Sequence, residues 1–248
     1  MNINFGNITY RNDLGQIVSK EEFEFEREKF KNNVREAYEN KVNDLLIRIN
    51  SRASDETEKL WMLYDYLTGE NMRYNLEGTT VDGTMATGEG YPFPPYKTWR
   101  VFHSDKYPAI LNNAGVCITF SKAFADIANK MGIACIVVNG YTGMEHAWNA
   151  VLINNEVKHI DVAYALMNKN WSDKKNYFLK DISQLIQIAG SRTCNTTNNE
   201  LENNLITKYN QLHPENQIPL KITIKEKTKI TSNEPKITII SKNEDNER

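Results

Sequence analysis

Apolar residues in this chain follow two periods, and the change between them marks its organisation. From Ser19 onward, Phe23, Phe30, Val34, Ala37, Leu45 and Ile49 recur at roughly helical spacing among Glu, Lys and Arg, which predicts a long amphipathic helix with one buried stripe. Ser19-Lys20-Glu21-Glu22 opens it as a capping box: a hydroxyl accepts an orphan N–H, and a carboxylate three residues on returns the bond. A second helix starts near Ser54 or Asp55, with Leu60, Leu63, Tyr64 and Leu67 on one face and Gly69 at its stop. Val116, Phe120, Ala123, Phe124, Ile127, Ala128 and Met131 then fall at helical intervals, and Gly132 ends the pattern. That is a buried helix beginning at or just before Cys117.

After Gly132 the period shortens. Residues 133–138 are continuously apolar and rich in β-branched side chains, the pattern of a strand buried on both faces; Gly140 and Gly143 break it. Residues 146–153 and 156–162 are two further strands. Asn154-Asn155 between them is a two-residue turn, because Asn tolerates positive φ. Helices are expected over 181–188 and 200–212. Two alternating stretches, 220–224 and 236–240, read as a weak hairpin, an edge addition or a mobile tail. Residues 1–18 carry no strong pattern.

Residues 75–100 stand apart. They hold Gly78, Gly83, Gly88, Gly90, Pro92, Pro94 and Pro95 together with Tyr91, Phe93, Tyr96 and Trp99. A loop of this length in a compact domain is functional or disordered, and the aromatics argue against disorder. It reads either as a surface loop bordering a site or as an Ω-like loop anchored by its aromatics.

Composition narrows the function classes. A chain of 248 residues, 40% hydrophobic and 25% charged, suits a globular protein with a sizeable core. A net charge of −2 gives no polyelectrolyte reason to expect nucleic acid or an anionic membrane. No apolar run approaches the ~20 residues needed to span a bilayer, and the start, Met1-Asn2-Ile3-Asn4-Phe5-Gly6, lacks the form of a signal peptide. A cytoplasmic protein is expected, with export by another route left open. The three cysteines, Cys117, Cys135 and Cys194, lie far apart without CxxC or His/Cys metal spacing, so neither a disulfide framework nor a metal site is expected.

The candidate chemistry lies between Gly115 and Asp161. Cys117 sits at a helix start, where unpaired N–H groups and the macrodipole favour a thiolate and could bind an oxyanion. Cys135 lies inside the apolar strand and reads as an inert core thiol; Cys194 lies in a polar segment with no base beside it. If Asn154-Asn155 is the turn, opposed residues sum to 309, so Trp148 faces Asp161 and His146 faces Ala163. His146 and Asp161 then share one hairpin face as diagonal neighbours, ~7–8 Å apart, a distance side chains span. Asp161 would fix one imidazole nitrogen and leave the other for the thiol. A three-residue turn would put Asp161 on the opposite face. His159, on the same face opposite Ala150, is the rival base. Each group alone also has an ordinary structural reading, and periodicity by itself leaves catalysis and structure evenly matched.

At these residues the chain resembles the bacterial transglutaminase-like superfamily, whose fold is related to papain-like cysteine proteases. The likeness runs through Leu111-Asn112-Asn113-Ala114-Gly115-Val116-Cys117, Ala123-Phe124, Ala128-Asn129-Lys130-Met131-Gly132-Ile133, Val138-Asn139-Gly140, His146-Ala147-Trp148-Asn149 and Asp161. Upstream, Tyr64-Asp65-Tyr66 and Tyr74-Asn75 resemble the family's preceding helix and Tyr-Asp element; downstream, Tyr177-Phe178 resembles its closing element. The resemblance implies an α+β fold, with N-terminal helices and a Cys-bearing helix packed on an antiparallel sheet. It implies Cys117 as nucleophile, His146 as general base and acid, and Asp161 as orienting carboxylate. Acyl transfer through a thioester on protein or peptide substrates follows, by hydrolysis, deamidation or transamidation. No organic cofactor is implied, and no calcium-binding loop is visible.

Three departures leave the substrate class open: Ile118-Thr119-Phe120 after the cysteine, Val162-Ala163 after the aspartate, and Val157-Lys158-His159 before it. Besides the Cys117 N–H, only Trp99 offers itself as an oxyanion donor. The expected organisation is an N-terminal segment with the long helix (1–53), a catalytic domain (54–190) and a polar C-terminal extension (191–248). A non-catalytic interaction module on the same fold is the alternative. Oligomeric state is not specified.

Overall fold

The structure, a computed structural model, describes residues 10–11, 16–74, 105–169, 173–190 and 192–221. A short antiparallel ladder, β1 (Tyr10–Arg11) with β2 (Ile17–Val18), precedes α1 (Lys20–Asn50). Ser19 Oγ accepts the Glu22 N–H at 3.0 Å, as the capping signal requires. The buried stripe of α1 is Val34, Tyr38, Val42, Leu45 and Ile49. Ala37, assigned to that stripe by spacing, is exposed. Tyr38 takes its place, because a phenol can enter a core when its hydroxyl has a partner; here Asp126 Oδ2 accepts it at 2.9 Å. Lys106 Nζ bonds the other oxygen of Asp126 at 2.6 Å and lies over the Tyr38 ring.

α2 (Glu56–Leu67) is capped by Asp55 and buries Leu60, Leu63, Tyr64 and Leu67. Next come β3 (Arg73–Tyr74), α3 (Tyr107–Leu111) and β4 (Ala114–Gly115), with β3 and β4 paired in parallel. α4 (Cys117–Lys130) leads into β5 (Cys135–Tyr141), β6 (Glu145–Ile153) and β7 (Glu156–Ile160). α5 (Val162–Met167), α6 (Ile182–Ala189), β8 (Thr193–Cys194) and α7 (Asn198–Leu212) complete the described chain.

The main sheet is antiparallel, in the order β7-β6-β5-β8. Strand alternation divides the core. Cys135, Val151, Ile153 and Ile160 pack with α1, α2 and α4, whereas Val138, Trp148, Ala150 and Leu152 pack with Leu201, Leu205 and Ile206 of α7. Residues beyond 190 thus supply one edge of the sheet and cover one of its faces. The mixed helix-and-sheet class is the one expected.

Two strand boundaries differ from expectation. β5 starts at Cys135 rather than 133 and runs through Gly140, which pairs with His146 on one side and Cys194 on the other. Glycine is needed there for space: a Cβ would lie 2.0 Å from the Thr193 carbonyl oxygen and 2.7 Å from the Trp148 ring. Nor is β5 buried on both faces throughout, since Ile136 and Val137 are only half-buried. β7 stops at Ile160 because the Asp161 side chain caps a helix, and Val162 opens α5. The Asn154-Asn155 turn is present with φ of 52° and 61°. Ile153 pairs with Glu156 and Asn149 with Ile160, the register that a two-residue turn dictates. The loop at 75–100 with Trp99, and the stretches at 222–224 and 236–240, lie outside the described residues.

Gly140→Ala is expected to destabilise the protein by about 1–3 kcal/mol, because backbone rather than a flexible side chain blocks the added methyl. The effect should appear as a lower melting temperature and as faster hydrogen exchange at the Asn195 amide, which bonds the Asn139 carbonyl at 2.9 Å.

Candidate active site

The site begins where β4 runs into α4. Cys117 is the first helical residue, after Val116 in extended conformation. Thr119 folds back so that its Oγ1 accepts the Val116 N–H at 3.2 Å. That fold requires Gly115, because a Cβ there would lie 2.6 Å from the Thr119 Cβ. The β3–β4 pairing sets Tyr74 opposite Gly115 and brings its hydroxyl into hydrogen-bonding contact with both the thiol and the backbone N–H of Cys117. That N–H is an orphan donor of the first helical turn.

β6 carries His146 and β7 ends at Asp161. Their predicted diagonal relation is realised as a bond of 2.9 Å between His146 Nε2 and Asp161 Oδ2. Nδ1 remains for the thiol, which bonds His146 and the Ala147 N–H. Asp161 is fully buried and held at every polar atom. Its Oδ1 accepts the Tyr164 N–H at 2.9 Å, its backbone N–H donates to the Tyr177 carbonyl at 2.9 Å, and Oδ2 also accepts from Arg192 Nη1 at 2.7 Å. A cleft of about 910 Å³ opens over Cys117 and His146, with Tyr74, Ile118, Tyr141 and Glu145 among its lining residues.

Electrostatics distinguish these groups. Burial alone would push the Cys117 thiol up, but the bonds from His146 and the Ala147 N–H, the imidazolium charge and the Tyr74 hydroxyl bring it below its ordinary value. Burial opposes a charged His146, yet the bonds to Asp161 and Cys117 outweigh it and push the imidazole up to about 9. Asp161 would be raised by burial and is instead lowered, by the His146 bond and charge, the Arg192 charge and the Tyr164 N–H. Burial, with Cys117 beside it, raises Tyr74 to about 12, so its hydroxyl stays protonated at neutral pH.

The other candidates differ. His159 is buried and accepts the Trp148 indole N–H at Nδ1, 3.1 Å away. Burial and the Arg192 charge push it down to about 4, so it stays neutral. The cleft is lined by His146 and not by His159. Cys135 is buried in the core, which raises its thiol; Cys194, half-buried on β8, is raised by burial against the Arg192 charge. Two site groups were not read from the sequence. Tyr74 stands out in the sequence only as part of the Tyr74-Asn75 motif. Arg192 stands alone in a polar segment where no period or spacing marks it. Among the described residues, no group of three or more His, Cys, Asp or Glu is placed to hold a metal ion, and no helix is long and apolar enough to cross a membrane.

The imidazolium at His146 favours folding at low pH. Its contribution is complete below about 6.5, the ordinary histidine value, and is lost as pH rises through about 9. An NMR titration of His146 is expected to have its midpoint near 9, and Asp161→Asn should lower it. In urea unfolding, the stability gap between wild type and His146→Ala should narrow as pH rises through the same range.

Comparison with known proteins bears on the same region. None of the curated proteins compared with this chain matches it. A crystal structure of a TGase is similar to it at 17% identity with a TM-score of 0.38, over 60% of this chain and 39% of that one, so this chain spans well under half of that structure. The family model of the Transglutaminase-like superfamily matches residues 43–163, a span that includes Tyr74, Cys117, His146 and Asp161. Residues 43–163 are a domain of the transglutaminase-like superfamily.

Proposed function

We propose that this protein is a cysteine-nucleophile acyl-transfer enzyme that acts on protein or peptide substrates through a thioester. The observation that carries this reading is the chain of contacts from Cys117 through His146 to Asp161, with the thiol lowered and the imidazole raised. A thiolate beside an imidazolium is the reactive form of cysteine.

In the first half-reaction the Cys117 thiolate attacks an amide carbonyl carbon. The carbonyl oxygen takes the electron pair and faces the Cys117 N–H. Tyr74 now holds that N–H, so its ring must yield as substrate enters; its protonated hydroxyl then donates to the same oxyanion. The intermediate collapses as His146 Nδ1 gives its proton to the leaving nitrogen. An amine or ammonia departs, and the acyl group stays on sulfur. In the second half-reaction neutral His146 takes a proton from water or an amine, which attacks the thioester and expels the Cys117 thiolate. Water gives hydrolysis or deamidation, and an amine gives transamidation. Asp161 keeps its charge throughout and holds the ring in position. Three unpaired thiols suit action in a reducing cytoplasm.

Iodoacetamide at pH 7 is expected to alkylate Cys117 well before Cys194, with Cys135 inert, and faster than a small-molecule thiol; His146→Ala should slow it. A Cys117 rate equal to that of a model thiol and indifferent to His146→Ala would overturn the reading. Mass spectrometry of a peptide mixture, with and without an added primary amine, should show products that Cys117→Ala abolishes. A cleaved bond, a gain of one mass unit or an incorporated amine identifies the acceptor. Tyr74→Phe removes one oxyanion donor, and kcat is expected to fall by about 10²–10³-fold.

A further inference from the structure

Arg192 lies in the C-terminal extension, beyond the residues that match the superfamily. Its side chain is 0% exposed. Nη1 donates to Asp161 Oδ2, the same oxygen that His146 Nε2 approaches. The guanidinium carbon lies 4.6 Å from the Tyr164 ring centroid and 5.2 Å from that of Trp148. Both rings also flank His146, at centroid distances of 4.9 and 5.9 Å. The arginine and the histidine are therefore held by the same two aromatic side chains and the same carboxylate oxygen. β8 delivers Arg192 to this place: Thr193 pairs with Tyr141, Cys194 with Gly140, and the Asn195 N–H bonds the Asn139 carbonyl.

Stability alone does not account for this residue. Nε and Nη2 are buried without a hydrogen-bond partner among the described residues. Burying a guanidinium carries a desolvation penalty that a single ion pair repays poorly, and an apolar residue in its place is often as stable or more so. What the charge does accomplish is to divide the Asp161 carboxylate between two cations. A buried aspartate facing His146 alone would hold the imidazolium more firmly and resist release of the proton to the leaving group.

We infer that Arg192 is a positioning residue for the Asp161–His146 pair: it orients the carboxylate and limits how tightly the imidazolium is held, and the functional unit therefore runs past residue 190 to at least Asn195. The inference rests on the acyl-transfer reading of the site. Among the described residues, the other titratable groups around this pair are the Cys117 thiol and the Tyr74 hydroxyl, Tyr64 from α2, Tyr164 from α5, Tyr177 before α6, neutral His159 from β7, Cys194 from β8 beside Arg192 and the solvent-exposed Glu145 next to His146. Of all the groups named around the pair, only Arg192 is a fixed cation.

The test compares Arg192→Met and Arg192→Gln, which remove the charge, with Arg192→Lys, which keeps it. His146 is titrated by NMR in the full chain, both with Cys117 intact and in a Cys117→Ser background. Without the arginine charge the His146 midpoint should rise by about half a pH unit or more, whereas Arg192→Lys should stay near wild type. kcat should fall with little change in KM. A merely structural arginine would lower the melting temperature and leave the midpoint of a folded variant unmoved. An unmoved midpoint, or failure of both uncharged variants to fold, overturns the inference. The Cys117→Ser titration involves no catalysis. A slow Cys117 in the wild-type alkylation assay would therefore overturn the acyl-transfer reading without deciding this one.

Discussion

The carboxylate of Asp161 is the constraint on which the rest depends. It is fully buried and ionised, so it must be surrounded by donors. One donor comes from the start of α5, one from β6 and one from the segment before β8, while its own backbone N–H is tied to Tyr177. Remove any of these and the charge loses compensation it cannot recover from solvent. This explains why β7 ends where it does. Continuing the strand through Val162 would satisfy β-propensity, but it would take from Asp161 the Tyr164 N–H that the helix start provides.

The sheet acts as the ruler for the site. The two asparagines at positive φ set the register of β6 and β7, and the register determines which side chains meet at the hairpin's end. A slip of one residue would turn Asp161 away from His146. On the other side of the cleft, the parallel pairing of Tyr74 with Gly115 does the same for the first turn of α4. The thiol is placed by a helix, the imidazole by a strand and the carboxylate by a junction of the two. Rigid elements on all sides are what a preorganised site needs.

Much of this could be read from local sequence, because local sterics and periodicity determine it. The start of α4 at Cys117, the asparagine turn and the shared face of His146 and Asp161 depend on residues close in the chain. Where local reading failed, a distant contact had decided the outcome. Tyr38 replaced Ala37 on the buried stripe because Asp126, 88 residues away, accepts its hydroxyl. β5 continued through Gly140 because β8 needed the space beside it. Arg192 was invisible because its environment is assembled from β6, α5 and the end of β7, none of them near it in sequence. The acceptor in the proposed reaction is not legible either: it depends on what occupies the cleft, and spacing carries no record of that.

The anchoring of Asp126 has a further consequence. Lys106 is clamped to it from one direction and Tyr38 from another, while Tyr74 is pinned against Gly115. Tyr74 and Lys106 are therefore both attached to the thiol's helix, one at the cleft and one on the helix's side. The direction in which Cys117 points is thus set by contacts further along its helix as well as by those at its start.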